Sequence, residues 1–336
     1  MRRLVVMGVL CALFVGTAAA SPAFACGCGV VLAPDGATVD ALNERALVYW
    51  DGEKEAIDLL LDVKSESLNL GMILPTPLPA LVSEGDARIF DTVQNTVAPV
   101  RRVETDWWGL GYLFPAAQPE DVVVLDRVQV GPIETTTIAA SDTGGLNTWL
   151  AANGYSISEK SIKALASYVE RGWSFTVLRL TSDDVVNGQL EPIRLTFETN
   201  RLVYPTRIAA VETVAQSMRV YVFDKQRVTV AKANSPTVAI EGDVTVAWAG
   251  KVTDGRLAAM GAYLTVFDIR YSDPKKQATS DLTFVYSVSD NDVKPETVHY
   301  RMITLLGIPV GTLIIGWALI GVAIATAHVV GRRRAR

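Results

Sequence analysis

Residues 158–180 read SEKSIKALASYVERGWSFTVLRL, and their hydrophobic period changes half-way along. Ile162, Leu165, Ala166 and Val169 recur at helical spacing, so Ser158 to Arg171 is expected to be a helix. Ile157 and Ile162 flank Ser158 as a hydrophobic staple would, and Gly172 stands just past the end. Trp173, Phe175 and Val177 then alternate with Ser174, Thr176 and Leu178, which is the period of a strand. A helix returning into a strand points to a fold mixing the two.

Working outward, strand signals dominate. Ala46–Trp50 and Glu55–Val63 read as strands joined by an Asp51-Gly52 turn, followed by Leu70–Leu74, which Pro75, Pro77 and Pro79 should stop. Residues 86–98 favour a helix with Ile89, Phe90, Val93 and Val97 on one face and Pro99 at its end. Val122–Val130 and Ile133–Ala140 read as strands, Ser141–Gly145 as a loop, and Leu146–Ala152 as a short helix ending at Asn153-Gly154. Further strands are expected at Ile193–Glu198, Arg219–Phe223, Val228–Ala231, Val238–Ile240, Leu264–Ile269 and Leu282–Val288. The expected class is therefore mainly β with inserted helices, a β-rich α+β ectodomain, plus one C-terminal transmembrane helix. The region 26–288 is near the size at which chains begin to divide. It reads as one domain or as two split near 185–205, after Asn187-Gly188.

The two ends give the compartment. Residues 1–25 carry Arg2 and Arg3, an apolar run from Leu4 to Val15, and a small-x-small ending at Ala23-Phe24-Ala25, the pattern of a cleaved signal peptide. A retained first membrane helix is the alternative, but the run is short for a span. Residues 302–327, from Met302 to Ala327, lie in a stretch without Asp, Glu, Lys or Arg between Arg301 and Arg332. They are long enough to cross a bilayer core of about 30 Å. The tail 328–336 holds Arg332, Arg333, Arg334 and Arg336, a basic cluster that favours the cytoplasmic side. The polar stretch before the span, 289–301, reads as a juxtamembrane stalk. The expected location is a bacterial plasma membrane, single-pass, with the body extracytoplasmic. Gly307, Gly311, Gly316 and Gly321 could let another helix approach the span closely.

All 36 acidic residues lie between 26 and 301 with 25 of the 31 lysines and arginines, a net charge of −11. That balance argues against a nucleic-acid surface, which is basic.

Cys26 and Cys28 stand one residue apart at the expected start of the mature chain, in a compartment where disulfides persist. A structural zinc site needs about four ligands, and the body adds only His299. The CxC spacing is not that of a thioredoxin-like pair. Lipidation of Cys26 lacks the usual Leu three residues before it, where Ala23 stands. A structural role is preferred: a tight Cys26–Cys28 disulfide, or a pairing between two copies.

Few residues suggest chemistry. A Ser–His–acid site needs a histidine, and the body has only His299, beside the anchor. Asp183-Asp184, Glu53 with Glu55, and Asp290 with Asp292 are acid pairs, read first as solvated turn residues. Asp290, Asn291 and Asp292 hold too few oxygens for a calcium loop. Arg101 and Arg102 beside Glu104 and Asp106 read as local ion pairs. Trp107, Trp108, Tyr112 and Phe114 form an aromatic cluster that is either a surface platform or a loop folded onto the core. No catalytic residue, metal site or cofactor is assigned.

Several phrases recur in a recognisable order: Ala25-Cys26-Gly27, ILPTPLP at 73–79, LNTWLAANGY at 146–155, YVERGWSFTVLRL at 168–180, LEPIRLTF at 190–197 and YPTR at 204–207. Over about 24–270 the chain resembles the DUF2330 family of uncharacterised bacterial secreted or membrane-anchored proteins. That resemblance carries over no reaction, cofactor or catalytic residue. The leading functional expectation is a membrane-anchored protein that binds or scaffolds a partner of the cell envelope. The alternatives are an extracytoplasmic hydrolase using carboxylates and an accessory subunit of an envelope transport or secretion complex.

Overall fold

The computed structural model describes residues 24–32, 39–50, 53–109, 134–139, 143–152, 154–155, 157–181, 187–232 and 244–334. In chain order these form β1 (Phe24–Cys26), β2 (Gly29–Leu32), β3 (Val39–Trp50), β4 (Lys54–Ser65), β5 (Asn69–Thr76), β6 (Leu81–Glu84), α1 (Ala87–Thr96), β7 (Val100–Asp106), β8 (Glu134–Ala139), α2 (Thr143–Ala152), α3 (Glu159–Val169), β9 (Ser174–Thr181), β10 (Asn187–Gln189), β11 (Ile193–Glu198), β12 (Val203–Tyr204), β13 (Gln216–Asp224), β14 (Val228–Lys232), β15 (Val244–Lys251), β16 (Tyr263–Tyr271), α4 (Pro274–Gln277), β17 (Leu282–Tyr286), β18 (Glu296–Met302), β19 (Thr304–Leu305), β20 (Ile308–Pro309) and α5 (Val310–Arg334). Strand outweighs helix, as the expected β-rich α+β class requires. The expected strands 122–130 and 238–240 lie outside the described residues, as do Asp183, Asp184, Tyr112 and Phe114.

The body is layered. An eight-stranded sheet runs β15-β16-β13-β3-β4-β11-β6, with β10 also on β4, and a five-stranded sheet runs β1-β2-β5-β9-β8. A three-stranded sheet runs β12-β17-β14 and packs on the eight-stranded sheet through Phe284 and Phe267. Strand alternation sorts side chains to two faces. Ile57, Leu59, Leu61 and Val63 of β4 meet Leu70, Met72 and Leu74 of β5, Leu178 and Leu180 of β9, and Val230 and Phe284 of the small sheet. Leu60 of β4 faces the opposite way, toward Phe90 and Val93 of α1 and Leu257 and Met260. The outer face of the five-stranded sheet, with Val30, Ile73, Phe175 and Val177, packs on Leu146 and Leu150 of α2 and Leu165 and Tyr168 of α3. The order is thus helix, sheet, sheet, helix. β4 is covered on both sides, which explains its continuous apolar run.

The helices begin and end as their sequences dictate. Ser158 caps α3 by accepting from the Ser161 N–H at 3.1 Å. Gly172, at φ +71°, lets the chain turn out of α3 while the Trp173 N–H reaches the Tyr168 carbonyl at 3.0 Å. Asp86 caps α1 through the Arg88 N–H.

Four features of the described chain bear on the expected elements. First, β5 runs through Pro75 to Thr76, pairing Pro75 with Phe175 of β9. On its other side β2 pairs only as far as Ile73, so the proline's missing N–H interrupts no ladder there. Second, strands before and after 185–205 share one sheet. β4 pairs with β3 on one side and with β10 and β11 on the other, and β3 pairs in parallel with β13. Third, 289–301 is not a free stalk: Val293 bridges Ala249, and β18 pairs in parallel with β7. Fourth, the apolar helix starts at Val310 rather than Met302. Leu306 and Gly307, at φ +55° and +79°, turn β19 back onto β20 first, and Pro309 precedes the helix.

One buried polar knot joins layers that are far apart in sequence. Asp281, 1% exposed, accepts from the Tyr168 hydroxyl at 2.6 Å, the Arg171 guanidinium at 2.7 Å and the Arg207 N–H at 3.1 Å. The Arg171 guanidinium also stacks 4.6 Å from the ring centres of Tyr168 and Trp173. Replacing Asp281 by Ala leaves these donors without their acceptor. The expected loss is about 3 kcal/mol of folding stability, read as a lower urea midpoint with an unchanged slope.

Candidate functional site

The Cys26-Gly27-Cys28 turn sits on a buried carboxyl group. Cys26 pairs with Gly29 at the end of the β1–β2 hairpin, leaving Gly27 and Cys28 as the turn. Cys28 is 3% exposed. Its side chain and the Gly27 and Cys28 N–H groups face the Glu44 carboxyl of β3. The Tyr204 hydroxyl also donates to Glu44. Gly27 packs so closely that a Cβ there would lie 2.4 Å from Met218 Cε and 3.0 Å from Glu44 Oε1. Glycine is required by this approach. The Cys28 side chain is turned into the core beside Glu44 and Tyr204.

A second buried acid stands further along the same face. Glu55 of β4 is fully buried and accepts from the Val203 N–H at 3.0 Å. It lies directly across from Trp50 on β3 and Phe197 on β11. Among the described residues its Oε1 and the Trp50 indole N–H have no hydrogen-bond partner. Its reading as a solvated turn acid is thereby corrected. Burial raises the carboxyl pKa of Glu44, against the pull of Tyr204 and the Cys28 turn, and raises that of Glu55 well above the usual range. The two do not form a catalytic pair. Glu55 faces Trp50, six residues along β3 from Glu44. At about 3.3 Å per residue they are roughly 20 Å apart, beyond the spacing of glycosidase carboxyls.

The opposite face of the eight-stranded sheet carries paired charges. Arg194 holds Asp58 at 2.5 and 2.6 Å, and Arg219 holds Asp268 at 2.5 and 2.7 Å, each with two bonds. Asp62, 1% exposed, is met by Asn43 at 3.2 Å, Gln189 at 3.4 Å and Arg45 at 3.6 Å. These acids are neutralised where they stand.

The remaining residues singled out by sequence are peripheral. Arg102 pairs with Glu104 and Glu296, as a local ion pair. Asp290 accepts from the Arg227 N–H and Asp292 pairs with Lys294. His299 is exposed on β18. Among the described residues no group of three or more His, Cys, Asp or Glu is placed to hold a metal. Trp107 and Trp108 are 49% and 47% exposed. They lie at the start of α5, where the Gly311 N–H donates to the Trp107 carbonyl at 2.7 Å and Gly311 abuts the Trp108 indole. They are therefore not a lid on the core.

Residues 22–285 match the family described as an uncharacterized protein conserved in bacteria, DUF2330. The chain belongs to the DUF2330 family. No curated protein matches it. Among solved structures, baculovirus P35 aligns at 10% identity over 78% of this chain and 97% of that chain, with a TM-score of 0.37. A mutated baculovirus P35 after caspase cleavage aligns at 9% identity over 77% of this chain and 100% of that chain, with a TM-score of 0.32. The DUF2330 match covers the CGC turn, both buried acids and the Asp281 knot, and stops before β18 and α5.

Glu44 was hidden because it stands within the polar run Asn43-Glu44-Arg45 of β3, and Tyr204 is 160 residues away. Glu55 was hidden because it stands at the edge of a run, Asp51-Gly52-Glu53, that reads as a turn.

Both raised acids make stability depend on pH. A group with a raised folded pKa binds more protons folded than unfolded between its two pKa values, so stability falls as pH rises through that window. The window opens at about 4.3, the ordinary Glu value. Asp86, Glu159, Asp273 and Asp292 have lowered values and act in the opposite sense, but only below the ordinary carboxylate range. Urea midpoints should therefore decline from pH 5 to pH 8. Glu55→Gln should flatten that decline, and an unchanged slope would show that Glu55 ionises normally.

Proposed function

We propose that this DUF2330 protein is a membrane-anchored extracytoplasmic protein that binds or scaffolds a component of the bacterial cell envelope. The observation that carries this is α5: 25 residues, apolar along its length, with none of its apolar stretch buried in the body, and ending in Arg332, Arg333 and Arg334. Such a helix is satisfied by lipid, and its basic end belongs on the cytoplasmic side. That orientation puts the acidic, layered body outside. A hydrolase reading loses support because the acids with raised pKa are enclosed and roughly 20 Å apart. The accessory-subunit reading drew on four glycines of the span. Gly307 lies in the turn before the helix, and Gly311 is packed against Trp108. Gly316 and Gly321 are open but five residues apart, so they do not share a helix face as small residues four apart do.

Protease applied outside spheroplasts should digest the body and leave a C-terminal tag intact. Cleavage of the tag from outside would reverse the topology. In-cell crosslinking should then give one reproducible envelope partner that is lost on deleting 26–301. Turnover of glycan or peptide by the purified body, with no such partner, would replace the binding reading with an enzymatic one.

A further inference from the structure

We propose that the face formed by Trp107, Trp108, Leu305, Leu306 and Ile308 inserts into the interfacial layer of the bilayer, so that the body rests on the lipid surface at the entry of α5. This rests on the reading of α5 as a membrane span.

These residues come from two segments, some 200 residues apart, bound into one unit. Asp106 Oδ1 accepts from the Trp108 N–H at 3.1 Å and the Gly109 N–H at 2.8 Å, which fixes the turn carrying both tryptophans. The Ile303 N–H donates to the Asp106 carbonyl at 3.2 Å, and the Val310 N–H to the Ile303 carbonyl at 3.1 Å. The Trp107 carbonyl accepts from Gly311 in the first turn of α5. Gly109 also packs against Pro309. The tryptophans are thus held to the start of the helix by main-chain bonds and cannot swing away from it independently.

Their side chains are exposed and apolar. Leu305 is 60% exposed, Leu306 95% and Ile308 46%, beside two half-exposed indoles. A cluster of this kind marks an interaction surface. Tryptophan prefers the boundary of a bilayer, where the ring is buried and its N–H stays wet.

The length of the helix places the cluster at that boundary. Arg332 holds the far end at the headgroups. At 1.5 Å per residue, a core of about 30 Å takes roughly 20 residues back from there. That count reaches the first turn of α5, where Gly311 touches Trp108. Exposed Arg301, one position before the end of β18, stands where it can meet anionic headgroups.

The test uses the full chain in phosphatidylcholine–phosphatidylglycerol vesicles with lipids brominated either near the headgroup or near the middle of the acyl chain. Trp317, 73% exposed and two turns into α5, reports on the span itself. Mid-chain bromine should quench Trp317, as the difference from Trp317→Phe, and shallow bromine should quench Trp107 and Trp108, as the difference from the double variant Trp107→Phe/Trp108→Phe. Leu306→Trp adds a reporter at a site that packs against little, and it should add emission that shallow bromine quenches. If Trp317 is quenched while neither the double variant nor Leu306→Trp changes the shallow quenching, the span stands and the docking face is overturned. If Trp317 is not quenched either, both readings fall.

Discussion

A strand covered on both faces must bring partners for every polar group it carries, and β4 sets that condition for the whole body. Glu55, Asp58 and Asp62 lie on it, each at most 1% exposed. An unpaired ionised carboxyl in such a place costs several kcal/mol. The structure meets the condition in two ways. Asp58 and Asp62, on the helix-covered face, receive Arg194, Arg45, Asn43 and Gln189 from β3, β10 and β11. Glu55, on the face toward the second sheet, has a raised pKa and a single main-chain donor, Val203. One face buries charge with its counter-charge, and the other buries a carboxyl whose proton is favoured.

The same condition fixes the topology. Partners for β4 come from residues 43–45 and 187–194, on either side of it in the sheet. A strand order that moved β11 away from β4 would separate Asp58 from Arg194. The Asp281 knot does the same between layers, because its donors come from α3, the turn just past it and the turn after Thr206 while the acceptor precedes β17. The polar groups therefore specify which strands meet, while the apolar faces supply the area that makes meeting favourable. Apolar burial is non-directional and tolerates several arrangements of similar strands, whereas a two-bond Arg–carboxyl contact tolerates few.

This division explains what could be read from the sequence. Segment 158–180 was legible because cap, face and alternation are all local: Ser158, Leu165 and Phe175 do what neighbouring residues imply. The first half of β3 was not, since Asn43, Glu44 and Arg45 look like a loop until Asp62 and Tyr204 are beside them. β7 and β18 were missed for a different reason. VRRVETD and ETVHYRM have no buried face, so they carry no alternation, and their pairing spans nearly 200 residues. The buried acids were illegible in principle, because a carboxyl's pKa depends on surroundings that only the fold assembles. The apolar helix was legible as composition but not at its start, where Met302 to Pro309 are apolar enough to belong to it. The Leu306-Gly307 turn, a backbone event, excludes them.

The β7–β18 ribbon decides how the body is joined to α5. A two-stranded ribbon is marginal by itself in water, so its order depends on its ends. At the body end, β7 follows α1, whose Phe90 and Val93 pack on the eight-stranded sheet, and the Val100 N–H bonds the Pro295 carbonyl. Val293, just upstream of β18, bridges Ala249 of β15 in that same sheet. At the helix end, Asp106, Trp107 and Ile303 tie both strands to Val310 and Gly311. Both strands are thus fastened at both ends, one through α1 and the other through β15. A single polar linker would leave the body free to swivel about α5. Two paired strands oppose that rotation, because twisting one past the other breaks the ladder along its seven paired positions. The tilt of the body is therefore set by the same backbone bonds that set where the helix begins.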